Sequence, residues 1–203
     1  MSNLHKVGIL GGTLDPIHLG HLIIAQSAMQ ELSLEKVVFM PSGNPPHKTG
    51  QKVTDAYKRL DMVRLAIDNN DNFVYSDFEM RREGIIYTSD TLELLKSKYK
   101  EVEFYFIMGA DSLFAIETWH KPEKIFQLCR IVVADRDMSN EKLADRIEYI
   151  ENKYNIRIFH IDSPFIHISS SYIRDCVKNG ISIRYLVCDK VANYIFKNNI
   201  YNM

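Results

Sequence analysis

Two histidines, His18 and His21, stand three residues apart where an apolar strand pattern gives way to a helical one. Side chains at this spacing share one face of a helix, and the start of that helix adds a partial positive charge and backbone N–H donors. Just before them, Gly11 and Gly12 let the backbone approach a ligand closely, and Thr13 adds a hydroxyl. This combination predicts a phosphate-binding site whose imidazoles stabilise a charged phosphorus centre during phosphoryl or nucleotidyl transfer.

A serine-rich segment near residue 170 also carries groups that could bind phosphate. Ser169, Ser170 and Ser171 follow a predicted strand and suit the N-cap of the next helix, which on its own would explain them. Arg174 falls near the start of that helix, where the helix dipole disfavours a cation. A bound anion would remove this conflict, so the segment predicts a second group of phosphate-binding donors.

Two histidines at this spacing are also typical of metal ligands. No third histidine, cysteine or carboxylate stands at ligand spacing in the sequence, so we expect no metal to be held directly at His18 and His21. The glycine-containing string is neither a Rossmann G-x-G-x-x-G motif nor a Walker P-loop. Taken singly, either histidine would more often be a cap, a surface group or a packed core residue.

The two segments together resemble a known superfamily. Residues 11–21, G-G-T-L-D-P-I-H-L-G-H, resemble the G-G-T-F-D-P-x-H-x-G-H signature of the nucleotidyltransferase superfamily, with Leu14 in place of Phe. Residues 168–174, I-S-S-S-Y-I-R, resemble its I-S-S-T-x-I-R motif. The resemblance implies that His18, His21 and Arg174 are catalytic at the α-phosphate of ATP, and that Mg²⁺ accompanies ATP. The ATP-binding residues that it implies are Gly11, Gly12, Thr13, His18, His21, Ile168, Ser169, Ser170, Ser171 and Arg174.

The middle of the chain resembles nicotinate mononucleotide adenylyltransferase in particular. The matching segments are residues 45–48, 83–92, 108–113, 119–125 and 132–136, although Ile86 stands where that family usually has Ser. The resemblance implies that nicotinic acid mononucleotide accepts AMP from ATP, giving deamido-NAD and pyrophosphate in NAD biosynthesis. The acceptor-binding residues that it implies are His47, Lys48, Thr88, Gly109, Asp111, Trp119, His120 and Arg136.

The chemistry of this acceptor fits those residue types. Nicotinate is a flat aromatic carboxylate, so the ring of Trp119 can stack on it and Thr88 can donate to the carboxylate. His47, Lys48 and Arg136 can hold the phosphate, while the resemblance directs Asp111 to the ribose hydroxyls and puts His120 where relatives often carry an aromatic residue. The alternatives are core packing for Trp119, a solvated loop for residues 47–48 and a helix cap for residue 111.

The elements that must position these residues follow from the apolar pattern. Strands are predicted at residues 6–10, 36–40, 73–76, 102–108, 131–134 and 156–161. Helices are predicted at residues 20–32, after Thr54 as an N-cap, from Thr88 or Ser89 to residue 99, at residues 139–153, and from residue 169 onward with a break at 179–180.

This alternation predicts an α/β fold: a Rossmann-like, doubly wound parallel sheet with helices on both faces. We expect one nucleotidyltransferase domain over residues 1–203, with a small C-terminal helical region at 168–203. Ligands bind beyond the carboxyl ends of such strands, so segments 11–21, 41–48, 109–111 and 162–174 should converge at one edge.

Composition narrows the functional classes. The 203 residues carry a net charge of −1, from 25 basic and 26 acidic side chains, so no broad nucleic-acid surface is expected. Cys129, Cys176 and Cys188 form no C-x-x-C pair, which favours reduced thiols in the cytoplasm. Neither a secretory signal nor a membrane span is expected. ATP and nicotinic acid mononucleotide are the expected partners, and a homo-oligomer stays open.

Other functions share parts of this pattern. The same chemistry could act on nicotinamide mononucleotide, phosphopantetheine or FMN, or use CTP with an alcohol. A non-catalytic nucleotide-binding regulator would keep the fold, but the intact His18, His21 and Arg174 argue against it. A fragment of a class I aminoacyl-tRNA synthetase has a related H-I-G-H motif, but no K-M-S-K-S-like string is present.

Overall fold

A computed structural model of the protein describes residues 4–43, 53–135, 141–164 and 168–202. Within these ranges six strands form one parallel sheet in the order β3-β2-β1-β4-β5-β6. The strands are β1 (His5–Gly12), β2 (Lys36–Pro41), β3 (Phe73–Tyr75), β4 (Val102–Gly109), β5 (Arg130–Asp135) and β6 (Ile158–Asp162). The predicted doubly wound α/β sheet is therefore confirmed. The strand order reverses direction between β1 and β4.

The sheet is buried on both faces because its strands carry apolar residues at successive positions. In β4, Phe104, Phe106 and Met108 pack into one hydrophobic cluster, while Tyr105 and Ile107 pack into the other. Successive side chains of a strand point to opposite faces, so each run of apolar residues supplies both clusters. This is why the strands read as continuous apolar runs in the sequence.

Helices cover both faces. The bounds are α1 (Leu19–Leu32), α2 (Ala56–Ile67), α3 (Thr88–Lys98), α4 (Ala110–Ala115), a 3₁₀ turn (Ile116–Thr118), α5 (Pro122–Leu128), α6 (Glu141–Tyr154), α7 (Ser170–Lys178) and α8 (Asp189–Lys197). Buried residues of α1, α2, α7 and α8 belong to the cluster with Ile107, and those of α3 to α6 belong to the cluster with Phe106. The C-terminal helices therefore pack on the same face as the first helix.

Two predicted helix caps are wrong. The N-cap of α2 is Asp55 rather than Thr54, because the Asp55 carboxylate accepts hydrogen bonds from the backbone N–H groups of Tyr57 and Lys58. Tyr87 is the N-cap of α3, so Thr88 is already the first residue of that helix. The cap of α2 lies one residue after the predicted one, and the cap of α3 lies one or two residues before the predicted ones. Helix ends are the part of an element that sequence patterns place least precisely.

The sequence also predicted unpaired cysteines and no membrane-spanning helix. Cys129, Cys176 and Cys188 all lie in the described ranges as free thiols, and burial raises the pKa of Cys129 to about 12. Among helices in the described part of the chain, none combines the length and apolarity needed to traverse a bilayer.

Candidate active site

The loops that follow β1, β2 and β4 meet at the carboxyl edge of the sheet, around a cavity of about 850 Å³. Parallel pairing aligns these strand ends, with Gly12 opposite Pro41 and Leu10 opposite Ile107. The cavity lies where a doubly wound sheet binds its ligand. The residues singled out in the sequence that line it are Gly11, Gly12, Thr13, His21, Thr88, Gly109, Trp119 and His120.

The two histidines form a stacked pair at the start of α1. His18 is the N-cap and is 5% exposed, and its ring centroid lies 3.7 Å from that of His21 with an interplanar angle of 30°. The backbone N–H of His18 donates to Nδ1 of His21 at 3.2 Å. A ring nitrogen that accepts carries no proton, so a neutral His21 carries its proton on Nε2. His21 is thereby held as an N–H donor that lines the cavity.

The His18 ring packs closely over Gly20. A Cβ atom on Gly20 would lie 3.1 Å from both Cε1 and Nδ1 of His18, closer than side chains normally approach. The glycine between the two histidines therefore leaves room for the first imidazole to fold back over the helix start.

The start of α1 is not an open set of donors. The backbone N–H of Leu19 donates to the carbonyl oxygen of Leu186 at 3.0 Å, so one amide expected to be unpaired is used within the protein. The predicted helix start therefore offers fewer backbone N–H donors than an isolated helix would. The partner comes from the segment between α7 and α8, which the sequence pattern did not connect with the site.

The serine-rich segment contacts the histidine loop directly. Oγ of Ser170 donates to the carbonyl oxygen of Pro16 at 2.9 Å, and Nη1 of Arg174 donates to that of Asp15 at 2.8 Å. The two motifs, more than 150 residues apart in the chain, therefore meet in space. The Asp15–Pro16 peptide bond at this junction is cis.

The remaining residues of that segment make local helix contacts or pack in the core. Oγ of Ser169 accepts from the backbone N–H of Tyr172 as the N-cap of α7, and it lies 3.1 Å from Oγ of the exposed Ser171. Ile168 is 6% exposed and packs in the core. Its side chain therefore supports the fold rather than facing the cavity.

A buried carboxylate beneath the histidine loop was missed by the sequence reasoning. Asp15 is 3% exposed, with Oδ2 accepting from the backbone N–H of Thr54 at 3.1 Å and Oδ1 accepting from the hydroxyl of Tyr201 at 2.6 Å. Burial and this carboxylate raise the pKa of Tyr201 above its usual value. Asp15 stood inside the recognised motif, but nothing in the sequence connected it with a residue 186 positions later.

One side of the cavity is formed by aromatic pairs. The Trp119 ring meets Phe106 edge to face, with centroids 6.2 Å apart at 90°, and the His120 ring stacks on Tyr87 at 4.2 Å and 28°. Thr88 begins α3 immediately after Tyr87. Trp119, His120 and the start of α3 at Thr88 therefore line the cavity together.

A second buried carboxyl group, Glu79, also lines the cavity. Its Oε1 accepts from Oγ1 of Thr91 at 2.8 Å, and Oγ1 of Thr91 accepts in turn from Nη1 of Arg82 at 2.9 Å. Burial raises the pKa of Glu79, against the hydrogen bond from Thr91 and the charge of Arg82. No motif drew attention to this residue in the sequence.

Of the other four residues predicted to bind the acceptor, the structure describes one. Asp111 is exposed in the first turn of α4, between the cavity-lining Gly109 and Ser112. His47, Lys48 and Arg136 lie outside the described residues.

In the described ranges, no three histidine, cysteine or carboxylate side chains lie close enough together to hold a metal ion.

Comparisons with known proteins agree on one family. A family model described as cytidylyltransferase-like matches residues 9–176. A protein of Clostridium novyi (strain NT) described as a probable nicotinate-nucleotide adenylyltransferase is 44% identical over 199 residues, which cover 98% of this chain and all of that protein. One from Clostridium kluyveri with the same description is 40% identical over 200 residues, covering 97% and 98%.

Solved structures agree on the fold. The chain is similar to Plasmodium falciparum nicotinic acid mononucleotide adenylyltransferase complexed with NaAD, with a TM-score of 0.78 and 21% identity over 97% of both chains. It is also similar to the same enzyme complexed with APC, at a TM-score of 0.78, 20% identity and 98% coverage of both chains.

Proposed function

Because the chain belongs to the cytidylyltransferase-like family and, within it, to the nicotinate-nucleotide adenylyltransferases, we propose that it transfers AMP from ATP to nicotinic acid mononucleotide. A phosphate oxygen of the acceptor attacks the α-phosphorus of ATP. The bond from that phosphorus to the oxygen bridging to the β-phosphate breaks, so pyrophosphate leaves and deamido-NAD forms.

The junction between the two motifs is the observation that supports this function most. Arg174 and Ser170 donate to the carbonyl oxygens of Asp15 and Pro16, so the start of α7 lies against the loop that leads into the histidine pair. A triphosphate needs donors from more than one side, and nucleotidyl transfer depends on alignment and electrostatic stabilisation more than on covalent help from the protein.

We assign the phosphate-binding donors to the histidine pair, Arg174 and the backbone at residues 11–13. The Nε2–H of His21, and His18 beside it, stabilise the charge on the α-phosphate oxygens in the transition state. Arg174 uses one N–H to fix its direction at Asp15, and its guanidinium carries further donors for phosphate oxygens. Mg²⁺, when it enters with ATP, supplies positive charge to the phosphates. The turn at Gly11, Gly12 and Thr13 lets the triphosphate approach the backbone.

The acceptor is assigned to the aromatic side of the cavity. Trp119 is held by its edge-to-face contact with Phe106 and stacks on the pyridine ring, and His120 continues this wall through its contact with Tyr87. The helix start at Thr88 favours a carboxylate over an uncharged amide, because helix N-termini stabilise anions. We assign Asp111 to the ribose hydroxyls, and His47, Lys48 and Arg136 to the acceptor phosphate.

Pyrophosphate release tests this proposal. The purified protein is supplied with Mg-ATP and, in separate reactions, with nicotinic acid mononucleotide, nicotinamide mononucleotide, phosphopantetheine or FMN. We expect turnover with the nicotinic acid compound and a lower kcat/KM with its amide. Turnover with phosphopantetheine or FMN but none with nicotinic acid mononucleotide would contradict the proposal.

A further inference from the structure

Arg59 is a buried cation behind the active-site loops. It lies on α2 and is 1% exposed. Its Nε donates to the carbonyl oxygen of Thr54 at 2.9 Å, and Nη1 donates to that of Thr13 at 2.7 Å. Its Nη2 donates to the carbonyl oxygens of Ser42 and Gly43, at 2.8 and 3.4 Å. One guanidinium thus joins three separate segments of backbone.

This position is unfavourable for a charge. Burial lowers the pKa of Arg59, and the carboxylates of Asp15 and Asp55 oppose that shift. The residue also lies near the N-terminus of α2, where the helix dipole repels a cation. Among ion pairs in the described part of the chain, none includes Arg59, so its direct partners are backbone carbonyl oxygens. A core-facing helix position filled only for packing would take an apolar side chain at lower cost.

The segments that Arg59 joins belong to opposite sides of the proposed reaction. Thr13 directly follows Gly11 and Gly12 at the end of β1, on the ATP side. Ser42 and Gly43 follow β2 and lead toward Lys48, on the acceptor side. The backbone N–H of Ser42 also donates to the carbonyl oxygen of Gly12 at 2.8 Å, so the segments that leave β1 and β2 lie side by side.

The acceptor-side segment is held from the other direction as well. A Cβ atom on Gly43 would lie 2.6 Å from the carbonyl oxygen of Glu79, so this glycine lets the two backbones touch. Glu79 in turn is linked to Thr91 on α3, and both line the cavity. The start of the segment after β2 therefore lies between Arg59 and the cavity wall, with little freedom to move.

We propose that Arg59 is a positioning residue that fixes the ATP-side turn at Thr13 relative to the acceptor-side segment at Ser42 and Gly43. The inference rests on the proposed function. In-line attack requires the acceptor oxygen and the α-phosphorus to be aligned, and an error of about 1 Å in such an arrangement can cost roughly 100-fold in rate. Arg59 does not line the cavity, so it acts through the backbone rather than on the substrates.

The variant Arg59→Lys tests this role. Lysine keeps the charge but lacks the planar fork that reaches three segments at once. We expect kcat to fall by about 100-fold, with KM for ATP and for nicotinic acid mononucleotide each changing less than about threefold. The control is Ile158→Ala at the start of β6, a buried residue at the amino end of the sheet that does not line the cavity, so that its loss lowers stability without touching these loops. We expect this control to keep its kcat.

Three results would overturn the inference: a kcat for Arg59→Lys within threefold of wild type, a loss confined to KM, or an equal loss of kcat in Ile158→Ala. If Arg59→Lys does not fold, Gly43→Ala decides, because it displaces the same junction by crowding Glu79. A drop in kcat at near-normal KM supports the role of the junction, and an unchanged kcat overturns it. Wild-type turnover with nicotinic acid mononucleotide, measured alongside, reports separately on the proposed function.

Discussion

At the scale of single residues, the histidine pair is positioned by backbone as much as by side chains. The His18 N–H fixes the acceptor nitrogen of the His21 ring, Gly20 leaves space for the His18 ring, and the carbonyl oxygen of Leu186 holds the first amide of α1. The geometry of the pair is therefore fixed by contacts within the protein. In the proposed reaction this is the condition under which hydrogen bonds to a transition state are worth most.

Replacing His18 should affect the chemical step. We expect His18→Ala to lose about 2.7–4 kcal/mol of transition-state stabilisation, which is roughly 100- to 1,000-fold in kcat, as for other donors to a developing oxyanion. Steady-state pyrophosphate release measures this loss. The control is His5→Ala at the far end of β1, where an exposed imidazole pairs with Glu35. A kcat for His18→Ala near that of the control would show that the imidazole has no such role.

Gly20→Ala should separate activity from stability. The new methyl group would press on the His18 ring at 3.1 Å, while alanine favours the helix by about 1 kcal/mol over glycine. We expect kcat to fall while the melting temperature stays the same or rises. Ser27→Ala on the same helix serves as control. Unchanged kinetics for Gly20→Ala would mean that the His18 ring can move without consequence.

At the scale of elements, ion pairs hold the 3₁₀ turn that precedes Trp119. Glu117 in this turn accepts from Lys153 at 2.6 Å, from Arg146 at 2.8 Å and from the hydroxyl of Tyr154 at 3.1 Å, all on α6. The hydrogen bond from Lys153 is the largest cause that lowers the pKa of Glu117 to about 2. This network connects the Trp119 side of the cavity with α6.

The Glu117 network predicts a pH dependence of stability. An unfolded glutamate titrates near pH 4.3, so the lowered folded pKa stabilises the protein above about pH 4.3 and the benefit is lost as pH falls toward about 2. We expect Glu117→Gln to be less stable than wild type at pH 7, with the difference shrinking between about pH 4 and 2. Urea denaturation at several pH values measures this, with the exposed Glu148→Gln as control. A difference that does not change with pH would exclude the ionic origin.

The elements themselves were largely predictable from the sequence, and their exact ends were not. Apolar runs such as residues 102–108 marked strands buried on both faces, because a parallel sheet covered by helices demands such runs. The cap of α2 was wrong because Thr54 and Asp55 both suit an N-cap, and the cap of α3 was wrong because Tyr87 begins that helix without a side-chain hydrogen bond, which residue type cannot predict.

The candidate site was likewise predictable only in part. Residues with a motif around them, such as His21 and Trp119, were found from the sequence and line the cavity. Arg59, Tyr201 and Leu186 were missed, because their contacts are with residues 46, 186 and 167 positions away. One signal was present for Arg59. Its spacing from Met62, Val63 and Ala66 puts a charge on the buried face of α2.

At the scale of the whole molecule, the C-terminal part of the chain completes the histidine loop. Ser170, Arg174, Leu186 and Tyr201 each contribute one hydrogen bond to residues 15–19. The same part of the chain packs into the core below through Ile173, Val191 and Ile195 among others. Stability of the fold and geometry of the site therefore depend on the same helices.

Removing one of these contacts should lower global stability. Tyr201→Phe deletes the hydroxyl that donates to the buried Asp15, a bond to a charged group worth about 1.5–3 kcal/mol. We expect a melting temperature lower by about 2–4 °C for each kcal/mol lost in a protein of this size. Thermal and urea unfolding measure it, with Tyr185→Phe, a hydroxyl on a residue 76% exposed, as control. Equal stability of the two variants would mean that the Asp15 contact contributes nothing.

The contacts between residues 170–201 and the loop at residues 15–19 also set an order of events during translation. The ribosome makes the histidine motif more than 150 residues before the groups that hold its loop. A nascent chain therefore carries both imidazoles without the surroundings that orient them until residues 170–201 have been made. Nucleotide binding should accordingly appear only once α7 and α8 have left the exit tunnel and docked.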